Sequence, residues 1–148
     1  MPGFAHWPLD AAFRQIAERK VDRIVCLEDE GKILDRSPAY WRALTSGDLP
    51  APATWLPVED YGVPLDLPAY VAEVHRIVDA LRAGERILVH CAGGCGRSGT
   101  FACLVLVALG MSPDDAVAAY WAARGCGPES AAQKALVADA VRHVRPSR

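Results

Sequence analysis

Long apolar runs are missing from this 148-residue chain. The longest, Phe101 to Leu109, has nine residues and cannot cross a bilayer. A basic excess is missing as well: sixteen Lys and Arg stand against eighteen Asp and Glu, for a formal net charge of −2. That excludes a broad nucleic-acid-binding face and confines any anion site to a local cluster. The opening stretch MPGFAHWPLDAAFRQ has no basic segment followed by an apolar one, so no secretory signal is read there. Cysteine is sparse and odd in number, five in all, with no framework spacing. Together these absences predict free thiols in a reducing compartment, a cytoplasmic location, and neither membrane nor nucleic acid as a partner.

What is present describes a globular domain. Hydrophobic residues make up 51% and charged residues 23%. The length suits one domain over 1–148, with one core and no repeat or linker. Helical spacing covers Leu9 to Lys20, and β-branched runs mark strands over Val21 to Leu27 and Thr54 to Val58. Residues 28–53 carry little signal beyond a short helix over Pro38 to Thr45. Asp66 caps a helix from Pro68 to Arg82 that Gly84 ends, and Arg86 to His90 is a third strand. Ser112-Pro113-Asp114-Asp115 reads as a capping box opening a helix to Arg124, and a last helix runs from Glu129 to Val144. Strands alternating with helices predict an α/β fold, a central and mostly parallel sheet flanked by helices.

The chemistry concentrates in VHCAGGCGRSGT, residues 89–100, between the third strand and a buried helix. Gly93, Gly94 and Gly96 let the backbone turn its N–H groups inward as an anion nest, and the helix start adds its positive end. The Arg97 fork matches two phosphate oxygens. Cys91, set among those positive groups, is expected to ionise well below the ordinary thiol value of ~8.5 and to attack a bound phosphorus. A zinc site of His90, Cys91 and Cys95 is disfavoured, because adjacent residues at a strand end point to opposite faces and no fourth ligand is near. Cys26, Cys103 and Cys126 read as core or near-core thiols.

Cys91-x5-Arg97-Ser98, preceded by His90 and enclosing Gly94, resembles the HCxxGxxR-Ser/Thr signature of cysteine-based protein tyrosine phosphatases. The resemblance implies Cys91 as nucleophile and Ala92, Gly93, Gly94, Cys95, Gly96 and Arg97 as the phosphate cradle. It further implies Ser98 as a hydrogen-bond donor to the sulfur and His90 as an orienting residue. A rhodanese-type sulfur carrier also closes a cysteine loop on a helix, but its common loop is one residue shorter.

Ester cleavage also needs a proton donor, and composition leaves Glu59 and Asp60 open, with Asp66 already serving as a cap. LPVEDYGVP resembles the acid loop of small dual-specificity phosphatases of the cyclin-dependent kinase inhibitor 3 type. That resemblance selects Asp60, with Pro57 and Pro64 as flanking prolines. The acid loop precedes the cysteine loop by about thirty residues, the order of that branch. In RGCGPESAAQKALV, Glu129 and Gln133 match a Glu and a Gln of the same family, giving Gln133 a supporting role toward water or the acid loop. As plain polar residues on a solvent-facing helix they would need no such role.

The implied activity is phosphomonoester hydrolysis through a phosphocysteine, without metal or cofactor. The implied substrates are phosphotyrosine proteins, with phosphoserine, phosphothreonine or small phosphoesters also open. A phosphate-recognition module without turnover is the alternative. Either Cys95, four residues from Cys91, or Cys26, on a neighbouring strand, could form a disulfide with an oxidised Cys91.

Overall fold

The computed structural model describes residues 1–2 and 7–145. Its strands are β1 (Arg23–Cys26), β2 (Ala53–Trp55) and β3 (Ile87–His90). Its helices are α1 (Leu9–Glu18), α2 (Glu30–Arg36), α3 (Pro38–Ser46), α4 (Leu67–Arg82), α5 (Gly96–Ala108), α6 (Pro113–Arg124), α7 (Ala131–Ala138) and α8 (Ala140–Val144). The sheet is parallel in the order β2-β1-β3, with Val25 opposite Thr54 on one side and Val89 on the other. The expected α/β architecture is the one formed.

Both faces of β1 are covered, which is why its residues are apolar without alternation. Val25 and Leu27 pack into the main core with α4, α5 and the C-terminal helices. Ile24 and Cys26 point the other way, toward α1, α2 and α3. α5 runs through the middle of the main core and buries residues around its whole circumference, including Phe101, Cys103, Leu104, Val105 and Val107. Phe101 meets Tyr70 of α4 edge-on at 5.2 Å between ring centroids, a contact worth about 1 kcal/mol beyond its buried area.

Local chemistry sets the element ends. The Asp66 carboxylate accepts from Ala69 N at 3.0 Å and starts α4, while Gly84 just past its end has φ +85°. Ser112 accepts from Asp115 N at 3.1 Å, but the Asp115 carboxylate takes the Ser112 hydroxyl instead of its backbone N–H, so the capping box is half made. The strand expected over 54–58 stops at Trp55. Leu56 N bonds Cys26 O and Val58 N bonds Leu27 O, so a two-residue step on this side meets a one-residue step on the other and the regular parallel register is lost. The helix expected over 129–144 starts later, capped by Ser130, and is divided at Asp139 by a tighter turn in which Arg142 N bonds Asp139 O at 3.0 Å. Residues 28–53, nearly silent in sequence, hold α2, capped by Asp29 through Lys32 N, and α3.

One cysteine expectation is overturned. Cys95 and Cys126 form a disulfide across a sequence separation of 31, leaving Cys26, Cys91 and Cys103 as the free thiols. Cys126 is therefore not a core thiol, Cys95 is not available to pair with Cys91, and one ground for expecting a reducing compartment falls. The reason is tertiary: the start of α5 packs closely on the turn after α6, where a Cβ on Gly99 would lie 2.9 Å from Tyr120 and 3.2 Å from Gly127 Cα. Among the described residues, no helix is long and apolar enough to cross a membrane.

That close approach makes Gly99 a steric requirement. Gly99→Ala is expected to destabilise the protein by about 1–3 kcal/mol through overpacking against backbone that cannot retreat. Urea unfolding monitored by tryptophan fluorescence measures it, and an unchanged midpoint would contradict the packing.

Candidate active site

The C-terminal ends of the three parallel strands meet at one place, where open α/β sheets hold their ligands. β3 delivers His90, and residues 91–95 arch over the start of α5. Beneath the arch lies a cavity of about 160 Å³ lined by Cys91, Ala92, Gly93, Cys95, Gly96 and Arg97 from the loop, Asp60 and Tyr61 from the acid loop, and Glu129 and Gln133. A larger hollow of about 590 Å³ runs behind the loop along β3 and also touches Cys91 and Ser98. It contains neither Asp60 nor Arg97, so the smaller cavity is the candidate site.

Four of the five cradle residues before Arg97 line this cavity. Gly94 does not, but its N–H donates to Cys91 Sγ at 3.3 Å, with φ at +74° where a side chain would be strained. The loop carbonyls are tied outward: Tyr120 Oη donates to Gly94 O at 2.7 Å and the N-terminal ammonium to Ala92 O at 3.0 Å. Pinning carbonyls outside leaves N–H groups for the interior.

Arg97 is 3% exposed and does not present its fork freely. Nη1 donates to Glu28 Oε1 at 2.6 Å and to Val58 O at 3.0 Å, while Nη2 reaches Glu28 Oε2 at 3.2 Å and Asp60 Oδ1 at 3.3 Å. Glu28 is fully buried, so each charge neutralises the other out of water's reach. The guanidinium makes three hydrogen bonds, all through Nη1 and Nη2; its Nε–H makes none among the described residues, and the contact with Asp60 is an ion pair. Glu28 takes the Nη1–Nη2 end of the fork, and the edge left for two oxygens of an anion is Nε–Nη2.

Asp60 is held by two cations, Lys32 Nζ at 3.0 Å and Arg97. The Lys32 hydrogen bond is the main cause holding its carboxyl below the usual carboxylate range, against partial burial, and the Arg97 charge adds to it. Glu59 does not line the cavity, and Asp66 is spent on its helix cap.

Gln133 is fully buried and not on a solvent face. Its Oε1 accepts from Glu129 N and Ser130 N in a complete capping box, and its Nε2 donates to Gly62 O of the acid loop at 3.1 Å. Ser98 departs from expectation. It is 2% exposed, and its Oγ makes no hydrogen bond to the Cys91 sulfur or any other group among the described residues. It faces the rear hollow, and the sulfur is already engaged by Gly94.

His90 lies under the loop with Nε2 paired to Tyr40 Oη and Nδ1 3.4 Å from Cys91 O. Burial lowers its pKa from 6.5 to about 4. Cys26, also buried, is pushed up to about 12, so it stays a thiol at neutral pH.

Sequence reasoning missed Glu28 and Lys32, which sit in an acidic run and carry no motif. The signal available was position: Glu28 follows a core strand at the sheet's ligand-binding end, where a carboxylate facing an arginine-bearing loop invites pairing.

A three-stranded parallel sheet whose strand ends hold a cysteine–arginine loop opposite an aspartate is an arrangement to set beside the dual-specificity phosphatase family. Residues 9–148 match the family model described as Swiss Army Knife protein, DSP-PTPase phosphatase domain, and the chain belongs to that family. A protein of Invertebrate iridescent virus 3 carrying a tyrosine phosphatase name, 067L, is 39% identical over 61 residues. That match covers 38% of this chain and spans only 25% of the viral protein. Among solved structures, kinase associated phosphatase with its catalytic cysteine changed to serine superposes with a TM-score of 0.85 at 18% identity, covering 100% of this chain and 86% of its own. Tk-PTP in its active form gives 0.75 at 23% identity, covering 97% and 92%. At such identities the likeness shows the fold.

The neutral His90 has a consequence for stability. Its folded pKa is depressed, so its contribution is complete above the unfolded value of 6.5 and is lost as pH falls through about 4. The loss amounts to roughly 3 kcal/mol. Denaturant titrations at pH 7, 5.5 and 4 should show this decline, and His90→Gln should flatten it. An equally steep decline in the variant would place the titration elsewhere.

Proposed function

We propose that the protein hydrolyses phosphomonoesters through a phosphocysteine at Cys91, with Arg97 and the loop amides binding phosphate and Asp60 as general acid. The observation that carries this reading is the meeting of thiol, guanidinium and carboxylic acid in one cavity of about 160 Å³ under an inward-facing amide loop. The loop amides and Arg97 supply the positive charge that the transferred group needs.

The order of events follows from Arg97's commitments. Two phosphate oxygens take Nε–H and the Nη2–H on the edge where Asp60 sits as an ion-pair partner. The incoming dianion therefore displaces the acid from Arg97 and, by its own charge, raises the acid's proton affinity. Cys91 Sγ attacks phosphorus in line, the P–O bond breaks, and the Asp60 proton passes to the leaving oxygen. Asp60, again ionised, takes a proton from water as that water attacks the thiophosphate, returning Cys91 and inorganic phosphate. Gln133 serves this cycle by holding Gly62, and so the acid loop, in place. Ser98 supports departure of the sulfur if its hydroxyl turns toward Cys91 once phosphate is bound.

The cradle contains no lysine, which argues against polyphosphoinositides, and the small cavity favours an exposed phosphoester. Phosphotyrosine proteins fit best, with phosphoserine, phosphothreonine and small phosphoesters in the same chemical class. The lowered pKa of Asp60, which leaves it ionised and without a proton to give, favours the second reading, a phosphate-recognition module without turnover, and the same assay decides.

Hydrolysis of p-nitrophenyl phosphate should proceed with a chelator present, be blocked by vanadate, and vanish in Cys91→Ser while phosphate binding survives. Asp60→Asn should cost ~10²–10⁴-fold on tyrosine or alkyl phosphates and less on p-nitrophenyl phosphate. Full activity in Cys91→Ser, loss on chelation, or a uniform loss across leaving groups in Asp60→Asn would overturn the mechanism.

A further inference from the structure

The chemistry above makes no use of the Cys95–Cys126 disulfide, yet its placement is specific. Cys95 is the last loop residue before α5 and lines the candidate site. Cys126 lies in the turn between α6 and α7, three residues before Glu129 and seven before Gln133. Since Gln133 holds Gly62, the disulfide closes a continuous chain of contacts: phosphate loop, Cys126, α7, Gln133, acid loop. The loop it anchors includes Gly93, Gly94 and Gly96 and is otherwise tied by its carbonyls to Tyr120 and the N-terminal ammonium. So many glycines leave the loop with much freedom to lose, and a covalent tether removes part of it. Both cysteines are half-buried at the rim, within reach of a small thiol.

We propose that Cys126 is a positioning residue for the phosphate loop, acting through its bond to Cys95, and that opening this bond by thiol exchange weakens the loop's hold on phosphate. The proposal rests on the phosphatase reading of the same site. In the exchange, a thiolate of a small dithiol attacks one sulfur, the S–S bond breaks, and the reagent's second thiol resolves the mixed disulfide. Cys95 and Cys126 each gain a proton and together two electrons, and the dithiol leaves as a cyclic disulfide. The sign is distinctive. A dithiol normally restores a nucleophilic cysteine, whereas here it should weaken the enzyme.

The test uses the full chain carrying Cys91→Ser, purified without reductant, with calorimetric binding of inorganic phosphate before and after dithiothreitol. Reduction should raise Kd about tenfold, within the ~5–150-fold range usual for coupled sites. Adding Cys126→Ser should give the weak value whether or not dithiol is present. With Cys91 intact, reduction should raise KM for an aryl phosphate more than it lowers kcat, and reoxidation should reverse it. Because the reduced chain keeps every side chain, this comparison stands even if Cys126→Ser folds poorly. An unchanged Kd, or peptide mapping that finds Cys126 free in unreduced protein, overturns the positioning role alone. No phosphate binding in either state overturns the site reading and the positioning role with it.

Discussion

A guanidinium only 3% exposed needs a partner, and for Arg97 that partner is the fully buried carboxylate of Glu28. Much else follows from this pair. It fixes the side chain at the floor of the phosphate loop, ties α5 to the end of β1, and decides which edge of the guanidinium an anion can reach. Removing one member would strand the other charge in a dry core, at about 3–5 kcal/mol. Removing both would be easier on the fold. The sheet's parallel order matters for the same reason, because it brings the ends of β1, β2 and β3 to a single point.

The second consequence concerns the acid. Asp60 Oδ1 sits 3.3 Å from Arg97 Nη2, on the edge that the proposed mechanism gives to phosphate, and Lys32 holds its other oxygen. The carboxylate therefore shares Arg97 with Glu28 and is held ionised by Lys32 and Arg97. Under the proposed mechanism a single event, phosphate binding, both releases the acid and raises its proton affinity. Gln133 and the disulfide hold the surrounding loops so that this exchange happens within a cavity of about 160 Å³.

The sequence displayed the phosphate loop plainly because its requirements are local. Glycines, a thiol and an arginine at a strand–helix junction lie within twelve residues, and the Asp66 cap and the α5 burial pattern are equally local. The site's supporting groups were hidden because they are not. Glu28 and Lys32 sit in an acidic surface-like run whose partner is about seventy residues away for Glu28, and nothing in their own neighbourhood marks them. The disulfide joins cysteines 31 positions apart with no spacing rule to suggest it. Gln133 was tied to the acid loop only through the family resemblance, since its own neighbourhood equally fits a solvent-facing helix residue, and the fold buries it as the link to Gly62.

In the proposed mechanism, phosphate displaces Asp60 from Arg97 and thereby turns a strong acid into a usable proton donor. Carbon-13 NMR titration of the Asp60 carboxyl in Cys91→Ser protein, free and saturated with inorganic phosphate, tests it directly. The free carboxyl should titrate below the ordinary carboxylate range, and phosphate should move its midpoint upward. A midpoint unchanged or lowered by bound phosphate would contradict the account.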